Sequence, residues 1–424
     1  MTRTSTARDP AAQESDPSPS HSVPSHSVDV AVVGAGPSGM AMAILLAREG
    51  FSTALVAPAA PADDDRTTAL LDSSVEMLRT LDLWDAIEPH TAPLRHMRIL
   101  DATGRLVRAP EVVFDAAELK LPAFGYNIKN RDLNAELAAA CAAERGLLRL
   151  EERLLDLTVM PDGTFLSLDG GGRVEARLVI GADGRNSPVR AAAGIGTREW
   201  RYPQSALVLN LEHAVPHHNH SAEFHTRTGP FTLVPLKGRM SSLVCVVEPE
   251  EAERLMGLDD AALAEDLERR AASIYGKMTV VGKRQIYPLG GVTAKTVGEN
   301  RCALVGEAAH VFPPIGAQGL NLGLRDVAAL GEILVAARKR GEDIGAPGVL
   351  ARYERARRAD IASRTTAVDL LNRSLLSDLL PVQMLRGLGL YLAGKVPPLR
   401  RLLMREGIAP ILSSPRLMRG LSLR

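Results

Sequence analysis

The chain has 424 residues, 50 basic and 50 acidic side chains, and three cysteines. Balanced charge excludes a global attraction to nucleic acid; Cys141, Cys245 and Cys302 form neither a metal-type spacing nor a disulfide framework, which fits a reducing, cytoplasmic setting. The length allows one large core or two fused ones, and no apolar run approaches the roughly 20 residues of a membrane span.

Residues 1–27 are rich in serine and proline and lack the apolar core of a secretory signal, so they read as a disordered tail. Ordered sequence begins at Val28. Val28 to Val33 reads as a buried strand, followed by a glycine-rich turn, a helix over 38–48 and a second strand over 52–56. The spacing of Leu70, Leu71, Met77, Leu78 and Leu81 predicts a helix over 69–81. Arg95 to Arg108 resembles a hairpin around Ala102-Thr103-Gly104, and 133–143 is helical. Strand-like runs then alternate with turn signals over 147–180 and recur over 204–247. Two helices (249–272), a strand (283–288) and long helices over 318–338 and 347–375 complete the pattern.

A β-α-β start, a strand-rich middle and a nucleotide-like return near 302 imply an α/β fold with two interleaved domains. A Rossmann-like domain is expected from 28–195 and 283–375. The main part of a β-sheet substrate domain is expected over 196–282, and a basic helical tail over 376–424.

Gly34-x-Gly36-x-x-Gly39 sits between a strand and a helix, where the turn, the phosphate approach and the helix packing each need a glycine. The motif does not separate NAD from FAD. The acid expected after the second strand for ribose hydroxyls is replaced by Ala57-Pro58. Asp63, Asp64 and Asp65 follow, and such a run reads first as a solvated loop. Arg66 suits a phosphate or a ring, or equally a pairing with that acidic run. Asn130 is either the N-cap of the following helix or a ligand contact. Asp183-Gly184, with Arg185 and Arg190, suits a pyrophosphate, though an Asp-Gly turn is also ordinary loop chemistry.

Gly306 to Asp326 carries the most information: an acid, Glu307, on a tight turn, then a Pro-Pro and glycine-rich loop with Pro314 and Gly316, then a helix opening near Gln318. Glu307 suits a polyhydroxy chain, and the amides of Gly319, Leu320 and Asn321 suit an anionic ring. His310 reads as a cofactor contact or a packed histidine. His213, His217, His218, His220 and His225 have no defined ligand spacing, and no metal site is expected. Leu370 to Arg424 carries nine basic residues against Asp378 and Glu406, among many leucines. It reads either as a peripheral membrane segment or as a helical cap with a basic outer face.

The glycine motif, Asp183-Gly184 and Gly306–Asp326 together resemble the flavoprotein aromatic hydroxylases of the para-hydroxybenzoate hydroxylase type. Arg66-Thr-Thr-Ala-Leu and Gly229-Pro-Phe-Thr-Leu-Val-Pro-Leu236 are most similar to the ubiquinone-biosynthesis ring hydroxylases. The resemblance implies FAD, with Glu307 at the ribityl acid's place (usually Asp), Gly319 to Asn321 at the pyrimidine edge, and Arg66 and Asn130 among the contacts. It implies NAD(P)H as co-substrate, O2 activated as a flavin C4a-hydroperoxide, and a prenylated phenol as substrate. No catalytic base is assignable. A soluble, small phenol as substrate, an isoprenoid double-bond reductase and a non-catalytic scaffold of a quinone-biosynthesis complex are the rival readings. The matching location is the cytoplasm, with peripheral attachment to the inner membrane left open by the two readings of the tail.

Overall fold

The computed structural model describes residues 25–58, 63–104, 110–313, 318–376, 396–408 and 414–423. Its first sheet is built on parallel strands in the order Cys302–Leu304, Arg173–Gly181, Ser25–Val33, Thr53–Val56 and Leu147–Leu150. Val30, Ala31 and Val32 are fully buried in its centre. That continuous apolar run is what a strand covered on both faces requires. The helix Pro37–Arg48 packs on this sheet through Met40 to Leu46, and Leu45 presses against Gly331 of the helix Gln318–Lys339. Strands Leu154–Val159 and Thr164–Leu168 extend the sheet antiparallel beside Arg173–Gly181.

The second sheet has eight strands and is dominated by two 17-residue strands, Thr197–His213 and Met278–Ala294, paired antiparallel. Leu207, Leu209 and Leu211 alternate onto one face, where helices Pro249–Gly257 and Asp260–Arg270 cover them with Leu255, Leu263 and Leu267. Asp259 caps the second of these helices by accepting from the Ala262 amide at 2.8 Å. Val208, Asn210, Val244 and Val246 take the opposite face. The expected boundary at 283 falls inside the strand Met278–Ala294, which continues to Ala294 because its partner runs unbroken from Thr197.

A further expectation is corrected. Residues 69–71 are not helical: Thr67–Leu71 is a strand paired with Gly125–Lys129, and the helix spans only Asp72–Thr80. Leucines at 70, 71, 77 and 78 fit a helical period, but the β-branched pair Thr67-Thr68 and a waiting partner strand favour extension. The outgoing strand of the expected hairpin, His96–Asp101, pairs antiparallel with Val112–Asp115, and the segment 105–109 lies outside the described residues. His96–Asp101 joins the second sheet parallel to His220–His225.

Parts of the tail lie on the core. Helix Pro397–Ile408 buries Met404 among Leu71, Ala116 and Phe124, while Arg400 pairs with Glu118 at 2.5 Å. Leu417, Met418 and Leu423 join the main core. No described helix is long and apolar enough to cross a membrane.

Candidate functional site

Three neighbouring parallel strands end in register, at Val33, Gly181 and Leu304. The residues that follow each end are the ones the sequence singled out: Gly34 to Gly39, Asp183-Gly184 and Gly306-Glu307. Ligands of open α/β sheets bind in such a crevice, beyond the carboxyl ends of the strands.

The glycines divide the work. Gly34 has φ +111°, and a Cβ there would stand 2.3 Å from the Ala182 carbonyl oxygen. A Cβ on Gly39 would stand 1.9 Å from the Gly34 oxygen, so these two let turn, helix and strand meet. Gly36 faces open space, with nothing within 4 Å of where its Cβ would stand. It is also the N-cap of a 12-residue helix that no side chain caps. The result is a concave, amide-lined cradle suited to a phosphate.

Asp183 lies beside this cradle. Its Oδ2 accepts from the Val189 amide at 2.9 Å, but its buried Oδ1 has no partner. Burial pushes its carboxyl above the usual carboxylate range. Arg190 is spent on backbone, donating to the carbonyl oxygens of Ala308 (2.8 Å) and Arg185 (2.7 Å). Arg185 is exposed.

Glu307 is exposed between buried Gly306 and Ala308 on a single turn of 3-10 helix. Gly306 has φ +61°, a value only glycine holds without strain. A Cβ on Gly323 would stand 2.6 Å from Ser38 Oγ and 3.1 Å from the Gly306 Cα. The glycine motif's helix, the Glu307 turn and the helix Gln318–Lys339 therefore converge at one point.

Arg66 does not precede a helix, but opens the strand Thr67–Leu71. It pairs with Asp64 through two contacts of 2.7 and 2.6 Å and stands 5.9 Å from the Tyr287 ring centroid. Those hydrogen bonds, outweighing burial, raise its basicity further, and the charge of Glu307 adds to this. The acidic run is not simply solvated. Asp63 pairs with Lys283, Asp65 with Arg131 at 2.7 Å, and the Asp65 carbonyl accepts from Asn210 of the second sheet at 2.9 Å. Asn130 is not an N-cap. It is the first helical residue, after Lys129, and its side chain donates to Asp64 at 3.1 Å.

Gly319, Leu320 and Asn321 occupy the first turn of the helix Gln318–Lys339. The Asn321 side chain is 1% exposed. It accepts from the Leu71 amide (2.8 Å) and Ser74 Oγ (2.7 Å) and donates to the Ala69 carbonyl (2.7 Å). This side chain is a staple between helix and strand and is spent on structure, not on a ligand. Pro314 and Gly316 lie outside the described residues.

His310 is fully buried against Asp326 at 2.6 Å. The other histidines serve local structure. His213 bonds Ser241 at 3.0 Å and His217 the Leu236 carbonyl at 2.8 Å. His220 stacks on His96, and His225 meets Glu223 at 2.9 Å. His218 takes a positive φ of 49° in the turn.

Sequence reasoning missed the buried ionic set of Arg325, Asp326, Arg357 and Asp360. It also missed Asn127, which is 1% exposed and donates to the Pro235 carbonyl at 2.9 Å, joining the strand Gly125–Lys129 to the second sheet. An Arg-Asp pair inside the otherwise apolar stretch Leu320–Leu330 was the available signal for the first. An asparagine within a strand offers none.

A phosphate cradle, an orphaned carboxylate oxygen and a second carboxylate on a glycine turn, all beyond the carboxyl ends of three neighbouring strands, fit FAD. Fold and site define an FAD-dependent monooxygenase. A family model described as an FAD binding domain matches residues 27–368, and the chain belongs to this family. It is 37% identical to the ubiquinone hydroxylase UbiL of Rhodospirillum rubrum over 405 residues, 93% of this chain and 93% of the relative. It is 35% identical to 3-demethoxyubiquinol 3-hydroxylase of Escherichia coli, over 88% of this chain and 96% of the relative. In fold it is similar to p-nitrophenol 4-monooxygenase PnpA of Pseudomonas putida DLL-E4, with TM-score 0.75 at 19% identity, covering 90% of this chain and 98% of that one.

Proposed function

We propose that this monooxygenase hydroxylates the aromatic ring of a prenylated ubiquinone precursor. The observation that carries the reading is its likeness, along almost the whole chain, to two proteins named for hydroxylation in ubiquinone chemistry, at 37% and 35% identity.

FAD, reduced by NAD(P)H, supplies the activation of O2. The chain's own residues hold and orient. The cradle at Gly34, Gly36 and Gly39 takes the pyrophosphate, with Asp183 beside it. Glu307 accepts hydrogen bonds from ribityl hydroxyls. The backbone amides of Gly319 to Asn321 face the ring's anionic edge and stabilise negative charge there. Arg66, backed by Asp64 and Asn130, brings a fixed positive charge near Glu307. The second-sheet face bearing Val208, Asn210 and Val244 receives the phenol and excludes water from it.

The exposed side chains of Arg401, Leu402 and Arg405 are proposed to touch an anionic membrane surface from the cytoplasm, where a prenylated substrate partitions. Membership in a quinone-biosynthesis complex belongs to the same reading.

Lipid analysis of a strain lacking the protein tests the function. Accumulation of a prenylated precursor short of one ring oxygen is expected. A normal quinone profile in a strain without a second ring hydroxylase contradicts it.

A further inference from the structure

The ionic set beneath the Glu307 turn is more elaborate than stability requires. Asp326 is fully buried; Arg325, Arg357 and His310 are no more than 2% exposed, and Asp360 is 5% exposed. Asp326 Oδ2 accepts from the Gly306 amide (3.0 Å) and meets His310 Nε2 (2.6 Å). Asp326 Oδ1 accepts from Arg357 Nε (2.7 Å), and Arg357 Nη1 donates to Asp360 (2.7 Å). Arg325 Nη1 donates to both Asp360 oxygens, at 3.0 and 2.9 Å. His310 Nδ1 and Arg357 Nη2 are buried without partners. Desolvating such ions is costly, and well-packed apolar side chains often match or exceed their stability. An arrangement that carries this cost points to a job of placement.

What it places is visible. The network's contact with the glycine turn is the bond from the Gly306 amide to Asp326. Gly306 carries the positive φ of that turn, and Glu307 follows it. Gly323, three residues before Asp326 on the same helix, packs against Gly306 Cα and Ser38. We propose that Asp326 is a positioning residue for FAD: it clamps the Gly306 amide, holding the 306–308 turn in the conformation that presents Glu307. The two arginines and Asp360 fix the carboxylate's orientation. This rests on the reading of Glu307 as an FAD contact.

Asp326→Asn is the direct probe. The amide has a single oxygen, and the charged Arg357 claims it. The Asn NH2 then faces the Gly306 N–H, donor against donor. FAD affinity is measured by fluorescence quenching for wild type, Asp326→Asn, Glu307→Ala and the double variant, with thermal unfolding of each FAD-free protein alongside. Asp326→Asn is expected to weaken FAD about tenfold in the wild-type background and less than twofold once Glu307 is alanine, because contacts acting as a unit are non-additive. An equal loss in both backgrounds, or none in wild type, overturns the proposal. Unchanged affinity in Glu307→Ala alone overturns the underlying reading of Glu307 instead. Should Asp326→Asn not fold, His310→Gln enters the same cycle. It removes one of the two groups on Oδ2, so about a threefold loss is expected that disappears with Glu307→Ala, and an equal loss in both backgrounds again overturns the proposal.

Discussion

Asn321→Ala tests whether the start of the helix Gln318–Lys339 is held by the side chain the structure assigns. Asn321 is 1% exposed, and its side chain bonds the Leu71 amide, Ser74 Oγ and the Ala69 carbonyl at 2.7–2.8 Å. Its removal leaves the Leu71 amide and the Ala69 carbonyl buried without partners, while the Ser74 hydroxyl is free to rotate. A buried polar group left unpaired costs about 1–3 kcal/mol. Two such groups, with the small void left behind, put the total near 4 kcal/mol, a large share of the roughly 5–15 kcal/mol typical of a folded protein. The urea midpoint of the FAD-free protein is expected to fall by on the order of 1 M. Asn321→Asp restores the acceptor but sets an oxygen against the Ala69 carbonyl, so it recovers only part of the loss. A midpoint shift equivalent to less than about 1 kcal/mol in Asn321→Ala, below the cost of one unpaired buried group, would refute the staple.

Glu307→Asp is expected to keep FAD, whereas Glu307→Ala weakens it by one to two orders of magnitude, about 1.5–3 kcal/mol for a charged hydrogen bond, read by fluorescence titration. Acid unfolding follows from Asp326 and Asp360. Burial pushes both carboxyls up, but the neighbouring charges, His310 and Arg357 on the first and Arg357 and Arg325 on the second, prevail and hold them below their ordinary values. A depressed folded-state pKa gives stability that is complete above about pH 4 and lost as pH falls through the folded value. Melting temperature should therefore drop below pH 4, and less steeply in Asp326→Asn. In the tail, Arg401→Gln with Arg405→Gln should reduce sedimentation with anionic vesicles at low salt without lowering stability. Arg400→Gln should loosen the helix instead, because Arg400 pairs with Glu118 and lies 5.3 Å from the Phe114 ring centroid. Equal sedimentation of wild type and the Arg401/Arg405 variant would favour the cap.

The parts of the site legible in the sequence are those where backbone geometry dictates residue type. Gly34, Gly39 and Gly306 each permit an approach or a φ that a side chain would obstruct, so their spacing announces the crevice. Side chains whose partners are remote in sequence were not legible. Asn130 sits where an N-cap fits, yet its partner is Asp64, which only the fold brings near. Arg357 and Asp360, three residues apart on a helix, look like a solvated pair until Asp326 and Arg325 enclose them. The tail combined both cases: its basic residues suggested a surface, while Met404 and Leu417 found apolar partners in the core.

The most direct test of the account is the fate of oxygen. The FAD-loaded protein is supplied with NAD(P)H, a prenylated phenol in detergent and isotopically labelled O2, and the product is analysed by mass spectrometry. One labelled oxygen atom on the aromatic ring is the predicted result. A product that has gained hydrogens and no oxygen, with label only in water or peroxide, would contradict the hydroxylase assignment.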